Sequence, residues 1–160
     1  MRYTLYLLAI FAFTGAARAQ SAAEDSVRTA VNLLFTGMKA ADPDIIRRSF
    51  ADSAILQTIT TNKDGKTVVR SENIEEFART IAKLGQGVAD ERIQFDQIRI
   101  DGPLAMVWAP YSFYYKGQLN HCGVDSFQLL LVDGGRSSIL SIRGVNSLVS
   151  NRRPQRAWGR

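Results

Sequence analysis

The sequence predicts an α+β fold, with helices gathered on one face of a curved antiparallel meander. Two observations carry this. The apolar residues repeat with a helical period over residues 24–40, 44–50 and 72–84, then with a period of two after residue 87. Turn signals at Asn62-Lys63-Asp64-Gly65, Asp101-Gly102-Pro103, Lys116-Gly117 and Asp133-Gly134-Gly135 divide the strand-like runs. At 160 residues, with no internal repeat, the chain fits one domain large enough to bury a core.

The first nineteen residues read as a secretory leader. Arg2 gives a positive start, Leu5 to Phe13 an apolar run too short to span a bilayer, and Ala17-Arg18-Ala19 a cleavage signal. An uncleaved anchor is the alternative. We therefore expect residues 1–19 to be a signal peptide, 20–150 the domain and 151–160 a basic tail. The protein would be exported to the bacterial periplasm or beyond. Cys122 is the only cysteine, so no internal disulfide can form and the core must hold the fold alone.

In the first helix, Val27, Ala30, Val31, Leu34, Phe35 and Met38 form the buried stripe. Asp42 can cap a second helix, with Pro43 at its first position and Ile45, Ile46 and Phe50 inward. Ala54–Thr61 and Thr67–Arg70 form a hairpin around the Asn62–Gly65 turn. Ser71 is a candidate cap for a third helix over Glu72–Leu84, with Ile74, Phe77, Ala78, Ile81 and Leu84 buried. Ile93 and Phe95 fall on one strand parity, Ile98 and Ile100 on the other, which asks for a bulge near Asp96-Gln97. A final strand runs over Ser137–Val145.

Chemistry concentrates in residues 108–127, WAPYSFYYKGQLNHCGVDSF, which hold the only histidine and the only cysteine. A two-residue loop at Lys116-Gly117 that pairs Tyr115 with Gln118 sets Ser112 opposite His121 and Trp108 opposite Asp125. One face then carries Leu104, Met106, Trp108, Ser112, Tyr114, His121, Asp125, Phe127, Leu129 and Leu131. The other carries Tyr111, Phe113 and Cys122. His121 and Cys122 point oppositely and cannot form a nucleophile pair. A bulge at Pro110 or Gly123 would shift the register, and Tyr111 beside His121 would refute it.

Several function classes drop out. The formal charge of +5 comes from the leader and from Arg152, Arg153, Arg156 and Arg160 in the tail, leaving the body slightly acidic and without a nucleic-acid footprint. One His and one Cys without nearby carboxylates make no zinc site. No phosphate-binding glycine motif and no nucleophile elbow occur. We expect no metal, no cofactor, no nucleic acid and no membrane partner.

The stretch Trp108-x-Pro110-Tyr111-x-Phe113-Tyr114, Gly117 and His121-Cys122-Gly123-Val124-Asp125-x-Phe127-Gln128-Leu129 resembles the nuclear-transport-factor-2-like superfamily, nearest its exported lumazine-binding-like branch. The likeness extends from about Asp25 to Val149. It implies a cone: a strongly bent mixed or antiparallel sheet with three helices on its concave face, enclosing a pocket, often in a homodimer. Ser137-Ser138 depart from the large residue usual in that family near the start of the last strand.

Trp108, Ser112, Tyr114, His121, Asp125 and Phe127 are thus the candidate ligand-binding wall. His121 reads as an acid–base or ligand contact, or as a histidine satisfied by Ser112. Asp125 reads as a desolvated base, or as the partner of Arg47 or Arg48. Trp108, Tyr114 and Phe127 either pack or stack on a flat ligand. Cys122 reads as inert, and Met38 and Met106 as core. The expected function is a binder of a small apolar or aromatic molecule. The alternatives are a cofactor-independent isomerase, dehydratase or cyclase using Asp125 and His121, and a protein-interaction module. A homodimer would form through the face bearing Tyr111, Phe113 and Cys122.

Overall fold

A computed structural model describes residues 2–132 and 136–147. The Asp133–Gly135 turn and the basic tail lie outside the described residues. Three helices and seven strands follow one another as α1 (Arg2–Ala40), α2 (Pro43–Ser49), β1 (Phe50–Thr61), β2 (Thr67–Glu72), α3 (Ile74–Leu84), β3 (Ala89–Ile93), β4 (Gln97–Asp101), β5 (Leu104–Tyr115), β6 (Gln118–Val132) and β7 (Arg136–Ser147). No helix among the described residues is long and apolar enough to cross a membrane.

The sheet order is β2-β1-β7-β6-β5-β3, with β4 on the same edge of β5 as β3. All neighbours are antiparallel except β1 and β7, which run parallel. The meander after α3 has the expected order. Its first two strands are short, five residues each, and share one partner. Four steps lead from Ile93 to Gln97, against three between their partners Tyr111 and Trp108. That extra residue is the bulge the parity change requires. The amides of Gln94 and Asp96 bridge it by donating to the carbonyls of Pro110 (2.9 Å) and Trp108 (3.1 Å).

The helix starts are set by side-chain caps. Asp42 Oδ1 accepts from the amides of Asp44 (2.9 Å) and Ile45 (3.1 Å), as the sequence indicates. For α3 the cap is Asn73, whose Oδ1 accepts from Glu75 (2.9 Å) and Glu76 (3.2 Å). Ser71 and Glu72 instead extend β2, which pairs them with Gln57 and Leu56. The helix therefore begins later than its period suggests, and Glu72 is freed for the cavity mouth.

The core forms where α1 lies against the concave sheet face. Val27, Val31, Leu34, Phe35 and Met38 of α1 pack with Val107, Phe127, Leu129 and Ile139. Phe127 is fully buried, its ring edge-on to Phe35 at 6.1 Å and 85°. Ser137, buried at the start of β7, sets its hydroxyl 2.9 Å from that of Ser26 on α1. A small polar pair occupies this helix–sheet contact in place of a bulky ring.

The β5–β6 register differs from the expected one. Tyr115 pairs with Gln118 and Tyr114 with Leu119, as the loop dictates, but Phe113 then pairs with His121 and Tyr111 with Gly123. Asn120 is the extra residue, three positions past the Lys116-Gly117 loop and at neither Pro110 nor Gly123. A one-residue slip exchanges the faces of one strand relative to the other. Ala105, Val107, Ala109, Tyr111 and Phe113 therefore share the concave face with His121, Asp125 and Phe127. Trp108, Ser112 and Tyr114 share the convex face with Cys122.

Candidate functional site

The open end of the cone holds a cavity of about 200 Å³. Apolar groups form most of it: Leu34, Phe35 and Met38 from α1, Phe77 and Ile81 from α3, Leu56 from β1 and Ile142 from β7. The polar chemistry comes from the strands, as Glu91 on β3, Tyr111 on β5 and His121 and Asp125 on β6. Glu72, exposed on β2, stands at the rim.

Glu91 and Asp125 come from strands on either side of β5, and they meet across it. Asp125 is 6 % exposed and half-buried Glu91 hydrogen-bonds to it. Burial penalises both charges. It holds Glu91 well above the ordinary carboxyl range, with the charge of Asp125 adding to the effect. Burial also pushes Asp125 up to about 6, against the opposing pull of the Glu91 hydrogen bond. Both carboxyls thus hold a proton more tightly than exposed ones do, and the Glu91 O–H, when protonated, donates to the Asp125 carboxylate.

Two glycines make the pair possible. Gly144 lies directly opposite Asp125 on β7, and a Cβ there would stand 2.7 Å from Asp125 Oδ1. Gly123 lies opposite Tyr111, and a Cβ there would meet the carbonyl oxygen of Val145 and stand 2.5 Å from the Tyr111 hydroxyl. The missing side chains leave floor space for a carboxyl and a phenol on the concave face. Burial first, then the charges of Asp125 and Glu91, hold the Tyr111 hydroxyl firmly protonated.

His121 packs its ring on Phe113 (5.0 Å between centroids) and edge-on to Tyr111 (5.7 Å). Burial lowers its proton affinity, which favours the neutral ring. Its Nδ1 lies 2.8 Å from Asn120 Oδ1, so Nδ1–H donates and Nε2 is left as an acceptor. The bulged residue therefore sets the tautomer.

Of the six residues expected on the binding wall, His121 and Asp125 line the cavity and the other four do not. Trp108 is 37 % exposed on the convex face and pairs with Ser126 and Gln97. Ser112 lies beside Cys122, its hydroxyl 3.7 Å from the sulfur. Tyr114 lies under the Arg92 guanidinium at 4.1 Å. Phe127 faces inward but belongs to the core. The anticipated partners also change. Asn120 satisfies His121 in place of Ser112, and Asp125 meets Glu91 while Arg47 pairs with Glu75 and Asp44. The expected dimer face is divided, because Tyr111 and Phe113 turn into the cavity and Cys122 turns out.

Glu91 and Tyr111 were missed as site residues. Glu91 had a readable signal: it follows Asp90 in a strand-like run and so takes the opposite face. Among the described residues, no three metal-ligating side chains converge.

No family model and no curated protein matches the chain. Solved structures do match its fold. A nuclear-transport-factor-2-like protein of unknown function from Shewanella baltica shares 19 % identity at a TM-score of 0.58, covering 82 % of this chain and 95 % of its own. One from Silicibacter pomeroyi shares 15 % at 0.60, covering 80 % and 98 %. A cystatin-like domain of unknown function from Nostoc punctiforme shares 13 % at 0.61, covering 80 % and 79 %. The chain has the nuclear-transport-factor-2-like fold, an α+β cone. The likeness shows the fold alone.

Proposed function

We propose that this protein is an exported binder of a small molecule, held in the cone by an apolar body and one polar group. The cavity carries this reading: greasy walls on three sides and a few convergent polar groups on the fourth are the usual make-up of a ligand pocket. Its volume of about 200 Å³ is small for a ligand pocket and suits a compact molecule. Titrating labelled protein with small neutral arenes tests it by NMR. The amides of Leu34, Leu56, Phe77, Phe113 and His121 should shift together and saturate. Shifts scattered over the outer sheet face, without saturation in the cavity, contradict it.

A second reading is favoured by the buried carboxyl pair. Perturbed carboxyls in a cleft are the usual equipment for proton abstraction without a cofactor. The acid–base partners would then be Asp125 and Glu91, with His121 at the periphery. Asp125 would take a proton from carbon next to a carbonyl and return one from solvent to the same carbon. Ketones that enter the cavity should then exchange α-protons in D2O, and Asp125→Asn should stop the exchange. Binding without exchange leaves the first reading alone.

We also propose that two copies associate through the convex sheet face. Leu104, Trp108, Leu119, Leu130 and Val145 are large, exposed and on that side.

A further inference from the structure

We propose that the cavity receives a small organic cation, a primary ammonium on a compact apolar body, whose N–H groups are accepted by Glu91 and Asp125. The inference rests on the cavity being a binding site, as proposed above, and it names the chemical class of the occupant.

Charge balance is the first argument. Among the described residues the cavity is lined by Glu72, Glu91 and Asp125 and by no lysine or arginine. Its other titratable groups, Tyr111 and His121, are held neutral by burial. Among the described residues the inner wall therefore gathers two carboxyls and no cationic counter-charge. A buried, unbalanced carboxylate is costly, and a cation of unit charge removes that cost.

The contrast with the next residue is the second argument. Asp90 points to the opposite side of β3, where Arg92 (2.8 Å) and Lys39 (3.3 Å) both pair with it. The fold thus neutralises one buried carboxylate twice. The other ion pairs among the described residues, Arg28–Glu24, Arg47–Asp44 and Arg47–Glu75, do not reach Glu91 or Asp125. Among the described residues, the cavity carboxyls lack the positive partners that Asp90 has.

Space is the third argument. Gly144 leaves room on β7 for the Asp125 carboxyl, and both residues line the cavity. The opposing wall of Leu34, Phe35, Met38, Phe77 and Ile81 suits hydrocarbon and not a hydrated metal ion. An arylmethyl ammonium satisfies both walls at once.

The experiment compares three probes of one shape: benzylammonium, benzyl alcohol and benzoate. Binding to the mature protein is followed by calorimetry and by NMR at pH 7 and low salt. Benzylammonium should bind at least tenfold tighter than benzyl alcohol and shift the amides of Glu91, Tyr111, Asp125 and Gly144. Benzoate should not bind. The double variant Glu91→Gln, Asp125→Asn keeps shape but not charge, and should weaken benzylammonium tenfold or more while leaving benzyl alcohol within twofold. If the variant does not fold, the ranking on the unmodified protein decides. Benzyl alcohol or benzoate binding as tightly as benzylammonium overturns the cation and leaves the cavity reading standing. Cavity amides silent to all three probes overturn both.

Discussion

Asp125 is the residue whose environment is most at odds with its chemistry, and that makes it measurable. Its carboxyl binds a proton more tightly in the folded protein, at about 6, than in an unfolded chain, at about 3.8. Folding therefore takes up protons in this window. The stability this gives is complete below the lower value and is lost as pH rises through the upper one. Glu91 acts in the same sense. For Asp125 the full loss is on the order of 3 kcal/mol. Urea unfolding should show stability falling from pH 4.5 to 7, and Asp125→Asn should flatten the fall. His121 works oppositely, since its proton affinity is lowered by folding, so the comparison is cleanest in a His121→Gln background. An unchanged slope in Asp125→Asn would show that the carboxyl is not buried as described.

The glycines that accommodate this pair are testable at the same scale. Gly144→Ala places a methyl 2.7 Å from Asp125 Oδ1, at the end of a side chain that can move a little. Its cost should be about 1–3 kcal/mol, as for other overpacked sites. Gly123→Ala meets backbone at Val145 as well as the Tyr111 ring, and should cost more. Chemical denaturation ranks the two, and the reverse order would contradict the floor geometry. Neither role is visible in sequence, because a strand glycine reads only as a bulge or a close approach until its neighbour across the ladder is known.

At the level of elements, most of the architecture was legible and one residue hid the site. Helix stripes such as Val27–Met38 and the Lys116-Gly117 loop act over a few residues, so local sequence specifies them. The position of a bulge depends on pairing between strands, and the sequence offered two plausible places for one. The structure uses Asn120 instead. Because the slip lies next to the turn, every β5 residue beyond Tyr114 changes partner. Trp108, Ser112 and Tyr114 therefore left the expected wall, whereas His121 and Asp125, on the strand used to define it, remained. Deleting Asn120 should leave the downstream register intact, since Tyr114–Leu119 and Phe113–His121 would become consecutive pairs. The loss should stay within about 1.5 kcal/mol, the worth of one hydrogen bond to His121 Nδ1. Cross-strand NOEs between Tyr111 and Gly123 check the register, and their disappearance would mean that the bulge itself holds it.

At the scale of the whole molecule, the two sheet faces divide the work. The concave face is closed by α1 and α3 around the cavity, whereas no element of the described chain covers the convex face. Leu104 and Leu130 are cross-strand partners there, Trp108 lies on the same strand, and Val145 continues the strip onto β7. A contiguous apolar strip on a sheet favours a second apolar sheet in place of water. The two-fold arrangement we propose for it is self-complementary, so one substitution acts twice at a single interface. Trp108→Lys should convert a dimer to a monomer at micromolar concentration in analytical ultracentrifugation. Its side chain does not line the cavity, so benzylammonium affinity should stay within about twofold of the parent, the expectation for a distant, uncoupled site. Monomeric parent protein would refute the association, and a coupled loss of affinity would show that the cavity needs the second copy to keep its shape.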